Sequence, residues 1–391
     1  MRWPAEASWR DGLVTAWRLG VAATELGWAR IAGTDAEPTR VGDVDAAWLT
    51  RALRTTFPGC RVATVERQDE TAGTTERARL RVTYDEIGCA GPLHATLFVK
   101  LAPRDVRTRL FVDLMRLGTT ETRFFREIAD DLPGERPGCY YASAPSGGRS
   151  FALLLEDLAA RGARFTDASQ ALGVDEARLV MVRLALLHAA CWDTPRFASD
   201  LAWLKSRDRN DRYPVERFLC ALAVPAGVDK LSDLIPAAVR AAVPRIIAAR
   251  DTLEDAWARG PLTLVHGDAH AGNLYFLPDA AGLLDWQLAQ RAQGMRDVAY
   301  FLTNSLPIAV RRDHERELLA LYLRTLAEHG VTPPPAFDVA WEQYRLHAVY
   351  AWIAAAVTAA AATLQQEPIV RAAIERTSTA LMDLDSLATL S

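Results

Sequence analysis

Between residues 264 and 276 the chain reads LVHGDAHAGNLYF, which places His266, Asp268, His270 and Asn273 within eight residues. Gly267 and Gly272 interrupt any helix here, since glycine costs about 1 kcal/mol relative to alanine in a helix interior. The runs LTLV (262–265) and NLYF (273–276) instead fit a strand, a polar loop and a second strand. Loops held by rigid elements are where reactive groups tend to sit. Further on, Asp285 ends the apolar run in LLDWQ (283–287) and is expected to project at a strand end. Asp268, Asn273 and Asp285 should therefore converge. One carboxylate and one carboxamide suit Mg2+, a hard ion that keeps water and substrate phosphates in its shell. A further carboxylate beside that ion can orient a hydroxyl nucleophile, which is what phosphoryl transfer needs.

Those groups must be carried by a sizeable protein. The 391 residues are 50% hydrophobic and 24% charged, with a net charge of −4. That balance gives no polyanion-binding surface, so nucleic acid is not an expected partner. The five cysteines are scattered, which argues against a disulfide framework or a cysteine zinc site and suits a reducing cytoplasm. Charges at Arg10, Asp11, Arg18 and Glu25 break up any signal-peptide core. The uncharged stretch 346–364 is mostly alanine and reads as a buried helix, so no membrane partner is expected.

Residues 10–30 read as an amphipathic helix with Leu13, Trp17, Val21 and Trp28 on one face. Residues 34–45 read as a linker. From 60 to 155 the pattern is of strands: 61–68, 76–84, 93–102, 138–144 and 150–158, with a turn at 69–75 and a helical pair between the third and fourth. After 158 the chain is mainly helical, with strands near 274–277 and 282–285. Lys100 lies inside the buried strand LFVKLA, and a buried lysine needs a partner. Glu121 shares a helix face with Phe124, Phe125 and Ile128, whereas Glu127 is turned about 120° away. Lys100 is therefore paired with Glu121, and Thr119 or Thr120 is expected to cap that helix, with Glu121 in its first turn. The pair would hold Lys100 on the α- and β-phosphates of a nucleotide.

HGDAHAGN, LLDWQ, Lys100 in its strand and Glu121 in its helix together resemble the aminoglycoside phosphotransferase/choline kinase superfamily. Asp-Trp-Gln, SFALLLEDL (150–158) and LALLHAACW (184–192) look most like its choline-kinase-like or ecdysteroid-kinase-like branch. The resemblance spans about residues 60–305. It implies an α+β, two-lobed, protein-kinase-like fold, with a small antiparallel-sheet N-lobe and a larger, mainly helical C-lobe. The division expected is a helical extension at 1–40, a nucleotide-binding lobe at 41–157, and a lobe carrying catalytic loop and acceptor-binding helices at 158–391. By the same resemblance Asp268 is the catalytic base, and Asn273 and Asp285 hold Mg2+. Gly73, Thr74 and Thr75 form the phosphate-covering turn, which has one glycine where protein kinases have several. Glu156, Asp157 and Leu158 form the hinge whose backbone receives the adenine. The implied activity is ATP-dependent (GTP being the other donor) transfer to a hydroxyl of a small molecule, by a cytoplasmic monomer or homodimer.

Several residues have plainer readings. His188 reads as a satisfied core histidine, His266 as loop support, and His270 as loop support or a substrate contact. Asp297 reads as a cap for the helix it opens or a brace for the loop. Trp341, Tyr344, Tyr350 and Trp352 read as core or as acceptor-pocket lining. Two other functions compete: a metal-dependent hydrolase, since His266-x-Asp268-x-His270 is a possible zinc set, and a non-catalytic nucleotide-binding pseudokinase. With few acids between 343 and 366, the acceptor is expected to be a weakly charged, partly apolar alcohol or an amino alcohol rather than a polycationic aminoglycoside.

Overall fold

The strand-like alternation of residues 60–155 builds one antiparallel sheet, and the helical periodicity beyond it builds a mainly helical body. The computed structural model describes residues 9–32, 37–85, 94–144, 150–166, 171–361 and 365–390, the side chains of 9 and 25–32 excepted. The chain divides into two compact units. One holds residues 16–131 and 136–163; the other holds 1–15, 132–135 and 164–391.

Helix α1 (Trp9–Ala32) forms where the amphipathic stripe was read, but Leu13, Trp17 and Val21 are exposed rather than packed. The side chain of Trp28 and residues 34–36 of the expected linker lie outside the described residues. In the sheet-bearing unit, α2 (Ala46–Leu53) begins at Asp45, whose side chain accepts from the Trp48 N–H. The sheet contains β1 (Val62–Ala72), β2 (Glu76–Tyr84) and β3 (Thr96–Leu101). Helices α3 (Val106–Leu114) and α4 (Leu117–Glu127) follow, then β4 (Cys139–Ser143) and β5 (Ala152–Glu156). The strand order is β1-β2-β3-β5-β4, every pair antiparallel. Ala78, Leu80 and Val82 of β2 alternate inward and meet Trp48, Leu49 and Leu53 of α2 in one core. Register sets Lys100 of β3 between Arg77 of β2 and Leu153 of β5.

The cap expected at Thr119 or Thr120 is not there. Helix α4 starts three or four residues earlier, with Arg116 at its N-cap in the left-handed region (φ 55°) and no side-chain cap. Packing sets that start. Leu117 is buried, and Gly118 lies so close to the Phe151 ring that a Cβ would fall 2.2 Å from it.

The helical unit contains β6 (Arg164–Phe165), α5 (Val174–Ala190), α6 (Tyr213–Lys230), α7 (Ala237–Ala248) and α8 (Arg250–Trp257). Then come β7 (Thr263–Val265), β8 (Leu274–Leu277), β9 (Ala280–Leu283) and β10 (Gln290–Ala292). Helices α9 (Met295–Ser305), α10 (Ile308–Glu328), α11 (Phe337–Ala360) and α12 (Glu367–Asp383) complete it. The sheet orders are β6-β8-β9 and β10-β7. β9 ends two residues before the expected 285, so Asp285 lies beyond the strand with a left-handed backbone (φ 63°) rather than at its last position. The alanine-rich segment forms α11, with Ala348, Ala351, Trp352, Ala355 and Ala356 buried. Among the described residues no helix is long and apolar enough to cross a membrane.

Candidate active site

Three side chains of the loop bind its own backbone. The strand β7 delivers His266, fully buried, whose Nδ1 accepts the Asp268 N–H at 3.2 Å while Nε2 lies 2.8 Å from the Leu284 carbonyl. Accepting at Nδ1 leaves the proton on Nε2, so the ring is neutral and donates to that carbonyl. Burial also pushes its pKa below the ordinary value, against the pull of Asp297 and Asp268. Its ring meets Trp286 edge-on at 4.7 Å. Both ring nitrogens are thus used by the fold, which removes His266 from any zinc set. Gly267 has φ +84°, and a Cβ there would fall 2.3 Å from the Leu288 carbonyl oxygen, so the position requires glycine.

Asp297, in the first turn of α9 and fully buried, accepts from the His266 N–H at 2.6 Å and the Gly267 N–H at 2.8 Å. Its Oδ2 also lies 3.3 Å from His188 Nε2, and His188 Nδ1 lies 2.8 Å from the Tyr322 hydroxyl. Burial works to raise the Asp297 pKa, but the His188 bond and the neighbouring histidines outweigh it and hold it below the ordinary value. Of the two readings of Asp297, the brace is the one present, and His188 is the core histidine expected, bonded at both nitrogens.

Asp268 follows directly. The Asn273 Nδ2 donates to its carbonyl and to its Oδ2, both at 3.0 Å. His270 uses Nδ1 to accept the Gly272 N–H and sets Nε2 3.6 Å from Asp268 Oδ2. The Asp268 pKa is raised, first by burial and then by Asp285, while His270, His266 and a hydrogen bond from Tyr300 oppose the rise. With its amide nitrogen committed, Asn273 offers Oδ1 as the oxygen for a cation. Asp285, half-buried, offers a carboxylate. Among the described residues no group of three or more His, Cys, Asp and Glu could hold a metal. A pair of hard oxygen donors fits an ion that keeps most of its shell for water and phosphate, as Mg2+ does.

In the sheet-bearing unit, Lys100 Nζ lies 2.6 Å from Glu121 Oε2, both side chains under 5% exposed. Glu127 instead pairs with Arg123 at 2.7 Å. Gly73, Thr74 and Thr75 make the turn between β1 and β2, closed by the Gly73 N–H donating to the Thr75 carbonyl. Thr75 is fully buried, and its hydroxyl has no hydrogen-bond partner among the described residues. Glu156 ends β5, and Leu158 opens a 3-10 turn capped by Asp157, whose carboxylate also holds Arg79 at 3.1 Å. The Glu156 N–H and the carbonyls of Asp157 and Leu158 are already bonded locally, to Gly138 O, Ala160 N and Ala163 N.

Two tyrosines were missed or undervalued in the sequence. Tyr300 of α9 is buried and hydrogen-bonds Asp268. Its position one helical step after Asp297 is the signal that could have found it. Tyr350 of α11, read only as core or pocket lining, donates its hydroxyl to the Gly267 carbonyl at 3.2 Å.

A model of the ecdysteroid kinase-like family matches residues 74–194 and 224–331. No curated protein matches the chain. Among solved structures, a provisionally assigned aminoglycoside phosphotransferase from Ralstonia eutropha JMP134 is 14% identical with TM-score 0.50, covering 87% of this chain and 97% of its own. Choline kinase from Cryptosporidium parvum Iowa II is 13% identical (TM-score 0.49, 88% and 97% covered). Ethanolamine kinase from Plasmodium vivax is 9% identical (TM-score 0.48, 81% of each chain). At 14% identity and TM-score 0.50 the likeness to the Ralstonia eutropha structure speaks for the fold alone, which is α+β, two-lobed and protein-kinase-like.

Proposed function

The chain belongs to the ecdysteroid kinase-like family, and from that membership we propose an ATP-dependent kinase that transfers the γ-phosphoryl group to a hydroxyl of a small molecule. The observation that carries the reading is the setting of Asp268, a carboxylate aimed by Asn273 and His270 on a loop whose backbone is fixed by Asp297. Asp268 would accept the acceptor's proton as its oxygen attacks phosphorus, the role that phosphoryl transfer assigns to a base. Its raised pKa makes it a better proton acceptor than an ordinary aspartate. Asn273 and Asp285 would hold Mg2+, which when bound offsets charge on the β- and γ-phosphates. Lys100, kept in place by Glu121, would take the α- and β-phosphates, and Gly73, Thr74 and Thr75 would cover them. The backbone of Glu156–Leu158 would receive the base, with adenine the first choice and guanine the second. Residues 41–157 would then be the nucleotide-binding part, 158–391 the acceptor-binding part, and 1–40 an extension.

The test is thermal stability with ATP and with GTP, each with and without Mg2+, followed by a screen of hydroxyl acceptors read by product mass. A Mg2+-dependent rise with one nucleotide is expected, since a ligand of the native state raises its midpoint. Asp268→Asn should then lower transfer by about 10³-fold and keep the nucleotide-dependent rise. Near-normal turnover in that variant, or no rise with either nucleotide, would refute the reading.

A further inference from the structure

Arg296 stands in the first turn of α9, beside Asp297, and is 7% exposed. A guanidinium carries five N–H donors and cannot lose its charge in a protein. Among the described residues no hydrogen bond or ion pair is made by this side chain; it meets ring faces instead. Its central carbon lies 3.6 Å from the centre of the Tyr350 ring and 6.0 Å from that of Trp257. Nε is buried without a partner. A cation stacked on an aromatic face gains about 0.5–2 kcal/mol. Leaving donors of a charged group unsatisfied in a buried site costs at least as much. Among the described residues, therefore, no acceptor meets the buried Nε of this permanent charge.

Arg296 lines a cavity of about 310 Å³, with Trp257 and Gln290 among its other walls. That volume lies at the small end of ligand pockets. Arg207 and Arg291 add positive charge; Asp208 and Glu254 add negative charge. Glu254 pairs with Arg250, and Asp208 accepts the Ser206 hydroxyl at 2.6 Å and is answered by the charges of Arg291 and Arg209, which leaves Arg296 without a carboxylate among the described residues. Arg207 is held by Asp255 at 2.7 Å. Behind the wall, His347 is fully buried and stacks on Trp257, its Nδ1 without a partner; burial, then the charge of Arg296, holds its pKa well below the ordinary value. It supplies no counter-charge. One wall of the cavity and one neighbour of Arg296 reach the loop that carries Asp268: Gln290, in the wall, pairs with Val265 and approaches Gly267, and Tyr350, stacked on Arg296 outside the wall, donates to the Gly267 carbonyl.

We propose that this cavity is an oxyanion subsite in which Arg296 grips a carboxylate or phosphate-type group of the acceptor, with the acceptor's apolar body against Trp257. That the anion belongs to the acceptor rests on the kinase reading; the anion site does not. The proposal revises the expected acceptor, from a weakly charged alcohol to one that carries a negative group beside its hydroxyl.

The experiment uses the full chain, first saturated with Mg2+ and a non-hydrolysable ATP analogue so that the nucleotide site is filled. Failure of the analogue to stabilise the protein would count against the kinase reading, and the anion arms would then be run without it. Benzoate, phenyl phosphate, methyl benzoate and inorganic phosphate are titrated at matched ionic strength. Benzoate or phenyl phosphate should raise the midpoint, and methyl benzoate should not. Arg296→Met should weaken the anions by roughly tenfold or more. Should that variant fail to fold, Arg296→Lys keeps the charge and loses the planar fork, and a several-fold loss is expected. Equal stabilisation by benzoate and methyl benzoate in the wild type would overturn the site. Inorganic phosphate binding as well as phenyl phosphate would overturn its assignment to an acceptor.

Discussion

The two units hold their candidate catalytic groups in different ways. Lys100 is positioned by charge: its strand register and the packing of α4 bring one ammonium and one carboxylate to 2.6 Å, both side chains under 5% exposed. Asp268 is positioned by backbone: the Asp297 carboxylate, the His266 ring, the Asn273 amide and the Tyr350 hydroxyl each fix one or two groups of its loop. A buried pair is cooperative and brittle, since removing either partner leaves a charge that burial penalises. A tethered loop is redundant, since each tether is one hydrogen bond of modest net worth. The comparison implies that damage to the pair should appear first as lost stability, and damage to the loop first as lost turnover.

The largest effect should come from the pair. Glu121→Gln leaves Lys100 without its carboxylate and should lower unfolding free energy by about 3–5 kcal/mol. Urea denaturation at constant slope reads it. The double change Lys100→Met/Glu121→Leu removes both charges and should recover most of that loss while leaving the protein inactive. A single variant as stable as wild type would mean that the pair does not behave as a buried pair.

A smaller effect is expected at the loop. Asp297→Asn keeps the size of the side chain but replaces one acceptor oxygen by a donor facing N–H groups. The loss should be about 1–3 kcal/mol, with turnover reduced by ten- to a hundredfold and nucleotide KM little changed. If stability fell as far as in Glu121→Gln, the loop would be as brittle as the pair and the contrast would fail.

Residue types and spacings went far toward both sites. A lysine inside an apolar strand demands a partner, and helical periodicity separates Glu121 from Glu127 without any structure. His266, Asp268 and Asn273 were legible because the loop is short and their spacing is local. What escaped was decided by contacts distant in sequence. The start of α4 follows from Leu117 and Gly118 packing rather than from the cap chemistry of Thr119 or Thr120. The left-handed backbone of Asp285 is invisible in LLDWQ, because neither the end of β9 nor the following 3-10 turn has a local signature. Arg296 went unremarked because an arginine at a helix start reads as solvated. Its burial depends on α11, more than forty residues away, which brings Tyr350 over it. The stripe of α1 misled in the opposite sense: its periodicity is real, yet Leu13 and Trp17 are exposed.

The finest distinction is drawn by Tyr300, which touches the Asp268 carboxylate rather than the loop backbone. Burial raises the Asp268 pKa and the Tyr300 hydrogen bond opposes it. Removing the hydroxyl leaves burial less opposed, so Tyr300→Phe should raise that pKa further. Catalysis as proposed needs the ionised carboxylate, and activity is lost as pH falls through its pKa. The acid limb of kcat/KM should therefore move to higher pH in the variant, by up to about one unit for a bond worth about 1 kcal/mol. Unfolding free energy should change less than in Asp297→Asn. A uniform drop in kcat/KM with an unmoved limb would place Tyr300 among the loop's tethers and leave Asp268 tuned by burial, Asp285 and its histidines.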